Sequence, residues 1–176
     1  MLDATIAARL RSMLKADYAD QNCSIARSLE LIGERWTILV LREAFLGTRR
    51  FDAFQRKLGV ARNTLQSRLE RLVEAGILKR VLYQERPRRY EYRLTTKGVD
   101  LWPVVVALLQ WGDRYAAPAG PPVVLEHKGC GGELDARRRC VRCGAELEPW
   151  DVTVRPGPGA AAGAAATRAA VGQPTS

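Results

Sequence analysis

The sequence has little histidine, few cysteines and few acidic residues where its cations are densest. Of 176 residues only one is His and four are Cys. With a single His there is no obvious general base. There is also no Gly-rich phosphate loop, no pair of catalytic carboxylates and no nucleophile elbow, so an enzyme is not expected. No run approaches the ~18 apolar residues of a membrane span. The longest, VVVALL at Val104–Leu109, has the length of a helix core. The N-terminus, MLDATIAARLRSMLK, carries Asp3 and interrupts its apolar positions with Arg9 and Arg11, unlike a secretory leader. The expected location is therefore cytoplasmic, with no membrane partner. Four cysteines are too few for a disulfide scaffold in a chain of this length, and three of them fall late and close together, which points to a metal.

Acidic residues are scarcest where basic ones are most frequent. The chain holds 28 Lys+Arg and 19 Asp+Glu, a net charge of +9. Residues 49–97 alone hold 14 basic and 5 acidic residues, while residues 1–48 balance at 6 and 6 and residues 98–176 at 8 and 8. The whole surplus thus lies in one segment. A localised basic field is the footprint of a polyanion partner, usually nucleic acid.

Periodicity gives the order of elements. A first helix over roughly Asp3–Lys15 places Ile6, Leu10, Met13 and Leu14 on one side. CSIARSLELIGERWTILVLREAFLG reads as two helices broken near Gly33, and a short helix from Phe51 to Leu58 stops at Gly59. The next helix, about Ala61 to Ala75, carries the apolar stripe Leu65, Leu69, Leu72, Val73 and is closed by Gly76. ILKRVLY and YEYRLT then alternate with period two around the basic turn QERPRR, which predicts a β-hairpin. Thr95 or Thr96 caps one further helix, KGVDLWPVVVALLQWGDRYA, with Pro103 in its first turn or two. APAGPP is a linker, and residues 155–176, rich in Ala, Gly and Pro, are expected to be disordered.

Helix, helix, short turn, helix, then a hairpin with a basic tip is the order of a winged helix-turn-helix. The expected class is mainly α with a small β-hairpin, flanked by extra N- and C-terminal dimerisation helices and followed by a small His/Cys knuckle. With Leu65 at the centre of the buried face, a 100° step points Asn63, Thr64, Ser67, Glu70 and Arg71 outward, with Gln66 and Arg68 on the flanks. Short polar side chains and cations on one helix face suit a major groove. Asn63, Thr64 and Ser67 are the candidates for base or phosphate contact, with Arg62, Gln66, Arg68 and Arg71 beside them. Arg86, Arg88 and Arg89 around Pro87 are candidate wing contacts, and Arg49 and Arg50 candidate backbone contacts.

From Cys23 to about Tyr115 the chain resembles the HxlR-type bacterial transcriptional regulators. The resemblance is carried by LIGERWTILVL, GTRRFDAF, LQSRLERLVEAGILKR, RPRRYEYRLTTKG and LWPVVVALLQWG, in that order. It implies a homodimer that binds a palindromic operator in double-stranded DNA, usually as a repressor. It also implies, for some members, an electrophile or oxidant sensor at the position of Cys23, a candidate supported by its place at a helix start near Arg27. A small buried interface residue is the other reading of Cys23. Ser24 stands where many relatives have proline.

The last constellation is HKGCGGELDARRRCVRCG. His127-x2-Cys130 and Cys140-x2-Cys143 form two ligand pairs, each followed by a glycine, as one structural Zn per chain would require. Arg137, Arg138, Arg139 and Arg142 would offset the charge of three thiolates. A metal-free hairpin and a disulfide formed on oxidation are the alternatives. The expected organisation is an N-terminal helix (1–22), the winged domain (23–120), a zinc-knuckle extension (123–154) and the tail (155–176). The expected function is a sequence-specific DNA-binding regulator. The alternative is a winged-helix and knuckle scaffold that docks on the transcription machinery.

Overall fold

The computed structural model describes Tyr18 and residues 22–160. The first expected helix and the chain beyond residue 160 lie outside the described residues.

Helix α1 (Ser24–Ile32) ends at Gly33, whose N–H donates to the Leu29 carbonyl at 2.7 Å. The chain turns through Trp36, at φ 79°, into α2 (Thr37–Phe45). Helix α3 (Phe51–Leu58) stops at Gly59, whose φ of 61° is the left-handed value that Gly adopts without a Cβ penalty. Helix α4 (Arg62–Glu74) follows and leads through Gly76 into β1 (Leu78–Gln84). This strand pairs antiparallel with β2 (Arg89–Leu94), Leu78 opposite Leu94 and Leu82 opposite Tyr90. The short α5 (Thr96–Val99) is capped by Thr95, whose Oγ1 accepts the Gly98 N–H at 3.1 Å. Helix α6 (Trp102–Tyr115) comes next, and β3 (Val123–His127) pairs antiparallel with β4 (Val152–Pro156). The fold is mostly helical with a winged-helix hairpin. No helix among the described residues is long and apolar enough to cross a membrane.

The apolar stripe of α4 explains its seat. Leu65, Leu69 and Leu72 are all 0% exposed, and Val73 beside them is half-buried. They share one core with Val40, Leu41 and Phe45 of α2, Phe54 of α3, Ile77 and Leu78 at the start of the wing, and Trp102 and Val106 of α6. Burying each leucine contributes roughly 1.5–3 kcal/mol. The stripe therefore holds α4 in one rotation about its axis.

Three expectations change. The single helix expected from Thr95 or Thr96 onward is two, broken at Asp100–Leu101. Pro103 cannot donate to the Val99 carbonyl and its ring crowds that group, so the helix restarts. The extension is more than a knuckle. Residues Val123–His127 and Val152–Pro156 form a second hairpin, and Cys140, Leu147 and Val152 join the core shared by the helices. Arg155 and Pro156, expected in the disordered tail, lie instead in β4, where Arg155 pairs opposite Val124 and its guanidinium reaches Glu126 and Glu133.

Leu69→Ala leaves a cavity at the centre of the core and is expected to cost about 2–5 kcal/mol, lowering the urea midpoint. Gln66→Ala, on the exposed face of the same helix, is expected to stay within about 0.5 kcal/mol.

Candidate nucleic-acid interface and metal centre

With Leu65, Leu69 and Leu72 inward, Asn63, Gln66 and Ser67 are exposed and Thr64 is half-buried. Among the described residues no side-chain partner holds Asn63 or Thr64, so the first turns of α4 keep free donors and acceptors. The Gln66 amide donates to Glu70 at 3.0 Å, which occupies an acidic group on this face. Arg62 stacks on the Phe51 ring, 4.8 Å from its centroid, a contact that steadies the cation without neutralising it.

Two arginines expected on this face are engaged elsewhere. Arg68 turns back to Glu34 at 2.7 Å and donates to the Arg35 carbonyl at 3.1 Å, which leaves its side chain only 17% exposed. Arg71 reaches Glu34 at 3.2 Å and the Glu30 carbonyl at 3.0 Å. Glu34 sits in the turn between α1 and α2. Sequence periodicity places side chains on a face but does not see an acid that arrives from another element.

The wing carries the remaining field. Glu85–Arg89 are exposed, and among the described residues no acid pairs with Arg86, Arg88 or Arg89. At the base of the wing, Arg50 bridges to Glu91 across an isolated strand contact and lies 4.5 Å from the centroid of the Tyr83 ring. The Arg49 carbonyl accepts the Tyr92 N–H at 2.7 Å, so the segment before α3 is laid along β2. The Arg93 guanidinium hydrogen-bonded to Glu91 holds that carboxyl below its usual range against the opposing effect of burial, and Arg50 adds to the lowering.

The four metal-ligand candidates converge. The ligand atoms of His127, Cys130, Cys140 and Cys143 all lie within 4.8 Å of one another. His127 Nδ1 is 3.3 Å from Cys130 Sγ and 3.4 Å from Cys143 Sγ, and the Cys130 and Cys140 sulfurs are 3.2 Å apart. Two tight turns present them, closed by Gly131 at φ 68° and Gly144 at φ 73°. Gly132 completes the cradle, since a Cβ there would lie 2.4 Å from Cys140 Sγ. Burial opposes ionisation of Cys140, but the backbone N–H groups of Cys143 and Arg142 and the Cys130 thiol hold it down at about 6. Cys130, hydrogen-bonded to Cys140, is pushed up. The Arg142 guanidinium donates to the Cys130 carbonyl at 2.6 Å and braces the turn. These four side chains lie close enough together to bind a metal.

Cys23 is exposed at the N-cap of α1, but Arg27 donates to Asn22 at 2.8 Å rather than facing the thiol.

A helix-turn-helix with a basic wing places the protein among winged-helix transcription factors, and known proteins agree. Residues 31–119 match the HxlR-like helix-turn-helix family. An uncharacterized HTH-type transcriptional regulator of Mycobacterium tuberculosis is 53% identical over 137 residues, covering 77% of this chain and 87% of that protein. Another, YdeP of Bacillus subtilis, is 32% identical over 107 residues, covering 58% of this chain and 83% of that one. Among solved structures, PA1607, a candidate transcription factor, superposes with a TM-score of 0.53 at 37% identity, covering 81% of this chain and 90% of that one. The chain belongs to the HxlR-like family of helix-turn-helix transcriptional regulators.

The clamp on α4 is open to test. Arg68→Ala removes a half-buried ion pair and a carbonyl contact and is expected to cost about 1 kcal/mol in urea unfolding. The more exposed Arg71→Ala is expected to cost less than about 0.5 kcal/mol.

Proposed function

We propose that the protein is a sequence-specific DNA-binding regulator that acts as a homodimer on a palindromic operator. It would act in the cytoplasm as a repressor, by covering promoter DNA. The observation that carries this reading is the pairing of a polar face at the start of α4, where Asn63 and Thr64 have no side-chain partner, with three wing arginines that lack acidic partners, all among the described residues. Asn63, Thr64, Gln66 and Ser67 would face the bases, and Arg49, Arg62, Arg86, Arg88 and Arg89 the phosphates. Arg50, Arg68 and Arg71 would mainly hold the wing and α4 in register. A protein-docking scaffold would not need three unneutralised arginines on a hairpin tip, which favours DNA over that alternative.

Removing Arg88 and Arg89 together is expected to weaken binding to every duplex and to lower the slope of log K against log salt by about 1 to 2 units. Asn63→Ala or Ser67→Ala is expected instead to erode discrimination between sites by ~1–3 kcal/mol per lost base contact. An unchanged salt slope in the wing variant would remove the phosphate assignment.

The dimer reading rests on α6. Val104, Leu108, Trp111 and Tyr115 recur at helical spacing and are 42%, 50%, 62% and 63% exposed, an apolar stripe that needs covering. Sedimentation at micromolar concentration is expected to show a dimer, and Trp111→Glu to shift it to monomer. A wild-type monomer contradicts this.

We further infer that His127, Cys130, Cys140 and Cys143 hold one structural zinc. Three sulfurs and one imidazole nitrogen are a soft donor set that fills a tetrahedron, which leaves no open position for a substrate. Metal analysis after expression in zinc-supplemented medium is expected to find about one zinc per chain, and Cys140→Ser to lose it. Metal-free protein with freely titrating thiols would contradict the inference.

A further inference from the structure

The polar side chains at the start of α4 are not equally constrained. Thr64 and Ser67 end in hydroxyls, which donate or accept as they rotate and so suit several bases. Asn63 has an amide, but among the described residues no side chain orients it. Gln66 differs. Its Nε2 donates to Glu70 Oε1 at 3.0 Å, one turn further along the helix. Both side chains are exposed, and the spacing of four residues puts them on one face. Arg68 and Arg71, the cations beside Glu70 in sequence, are drawn to Glu34 instead.

That single bond decides what Gln66 can offer to DNA. A carboxylate only accepts, so the end of the Gln66 amide that faces Glu70 is the NH2 group. One N–H is taken up there. What remains for a base is one N–H and the carbonyl oxygen Oε1, side by side on the same planar group. Adenine shows the matching pattern in the major groove, the N7 acceptor beside the N6 amino donor. Guanine shows two acceptors, N7 and O6, and Oε1 would face one of them. Thymine offers an acceptor and a methyl group and cytosine an amino group, so each satisfies half of the amide. A glutamine that nothing holds turns about its last torsion and gives both N–H groups to guanine. The bond to Glu70 removes that option.

On the DNA-binding reading of α4, on which this rests, we propose that Gln66 reads an adenine in its half-site and that Glu70 is the positioning residue that makes it reject guanine. Glu70 acts through Gln66 and does not itself touch the base. An acid on a DNA-facing helix weakens attraction to every duplex alike. The orientation of Gln66 gives a reason for its presence there.

The test uses the full chain and a duplex that it selects from a random pool. Each base pair of that duplex is exchanged in turn, and Kd is read by fluorescence anisotropy at fixed salt. For the wild type, one position per half-site is expected to prefer adenine over guanine by about tenfold or more. Gln66→Ala is expected to bring that ratio to within about twofold of unity and to leave the other positions as they were. Glu70→Ala is expected to admit guanine at the same position, lowering the ratio at least about threefold. Glu70→Gln restores an acceptor for the Gln66 N–H and is expected to keep the wild-type ratio, which a role for Glu70 in net charge alone does not predict. The ratio compares two duplexes on one variant, so a change in folded fraction cancels. A selected duplex in which Gln66→Ala alters no adenine position, or a Glu70→Ala variant with an unchanged ratio, overturns the assignment while leaving the DNA-binding reading intact. A random pool from which the wild type enriches nothing overturns both.

Discussion

The orientation of α4 about its own axis is the constraint on which the rest depends. It is set by three leucines, Leu65, Leu69 and Leu72, each fully buried against α2, α3 and the root of the wing. An α-helix advances 100° per residue, so burying those positions forces Asn63 and Ser67 outward. Glu34 adds a second clamp from the turn before α2, drawing Arg68 and Arg71 to one flank. A rotation by one residue would expose a leucine and bury a polar side chain without a partner, each at a cost of about 1–3 kcal/mol. The polar face is thus a by-product of core packing, and it is rigid for the same reason.

Charge then separates structural cations from available ones. The basic surplus of residues 49–97 is not spread evenly in its effect, because Glu34 and Glu91 each take up two guanidinium groups. Those pairings lie at the edges of α4 and along the hairpin, where they fix the wing relative to the helix. At the tip of the wing, Arg86, Arg88 and Arg89 have no ion-pair partner among the described residues. The proposed division of labour follows from this: paired arginines hold geometry and unpaired ones meet phosphate. The His/Cys segment obeys a similar logic, with backbone N–H groups favouring the Cys140 thiolate and the Arg142 guanidinium bracing the turn.

Much of this was legible in the residues, and the rest was hidden for identifiable reasons. The helix α3 was readable to the residue because Phe51 opens an apolar period and Gly59 closes it. The outward face of α4 and the wing hairpin followed from periodicity, and the family likeness from five short blocks. The pairing of β3 with β4 was not readable, since VVLEH and VTVRP are short and separated by the whole His/Cys segment. Nor was the break before α6, where Pro103 looked harmless in the first turn of one long helix until its effect on the Val99 carbonyl was counted. Local pattern reports faces and turns. It does not report which acid from another element captures Arg68, or that the extension closes a cavity against α6.

The most direct test of the account is selection of bound duplexes from a random pool by the intact chain. A dimer presenting two copies of α4 is expected to enrich a two-fold symmetric sequence with half-sites about one helical turn, ~10–10.5 base pairs, apart. A pool that remains unenriched while binding persists at low salt, or one that yields a single asymmetric site, would contradict the central claim that paired α4 faces read an operator.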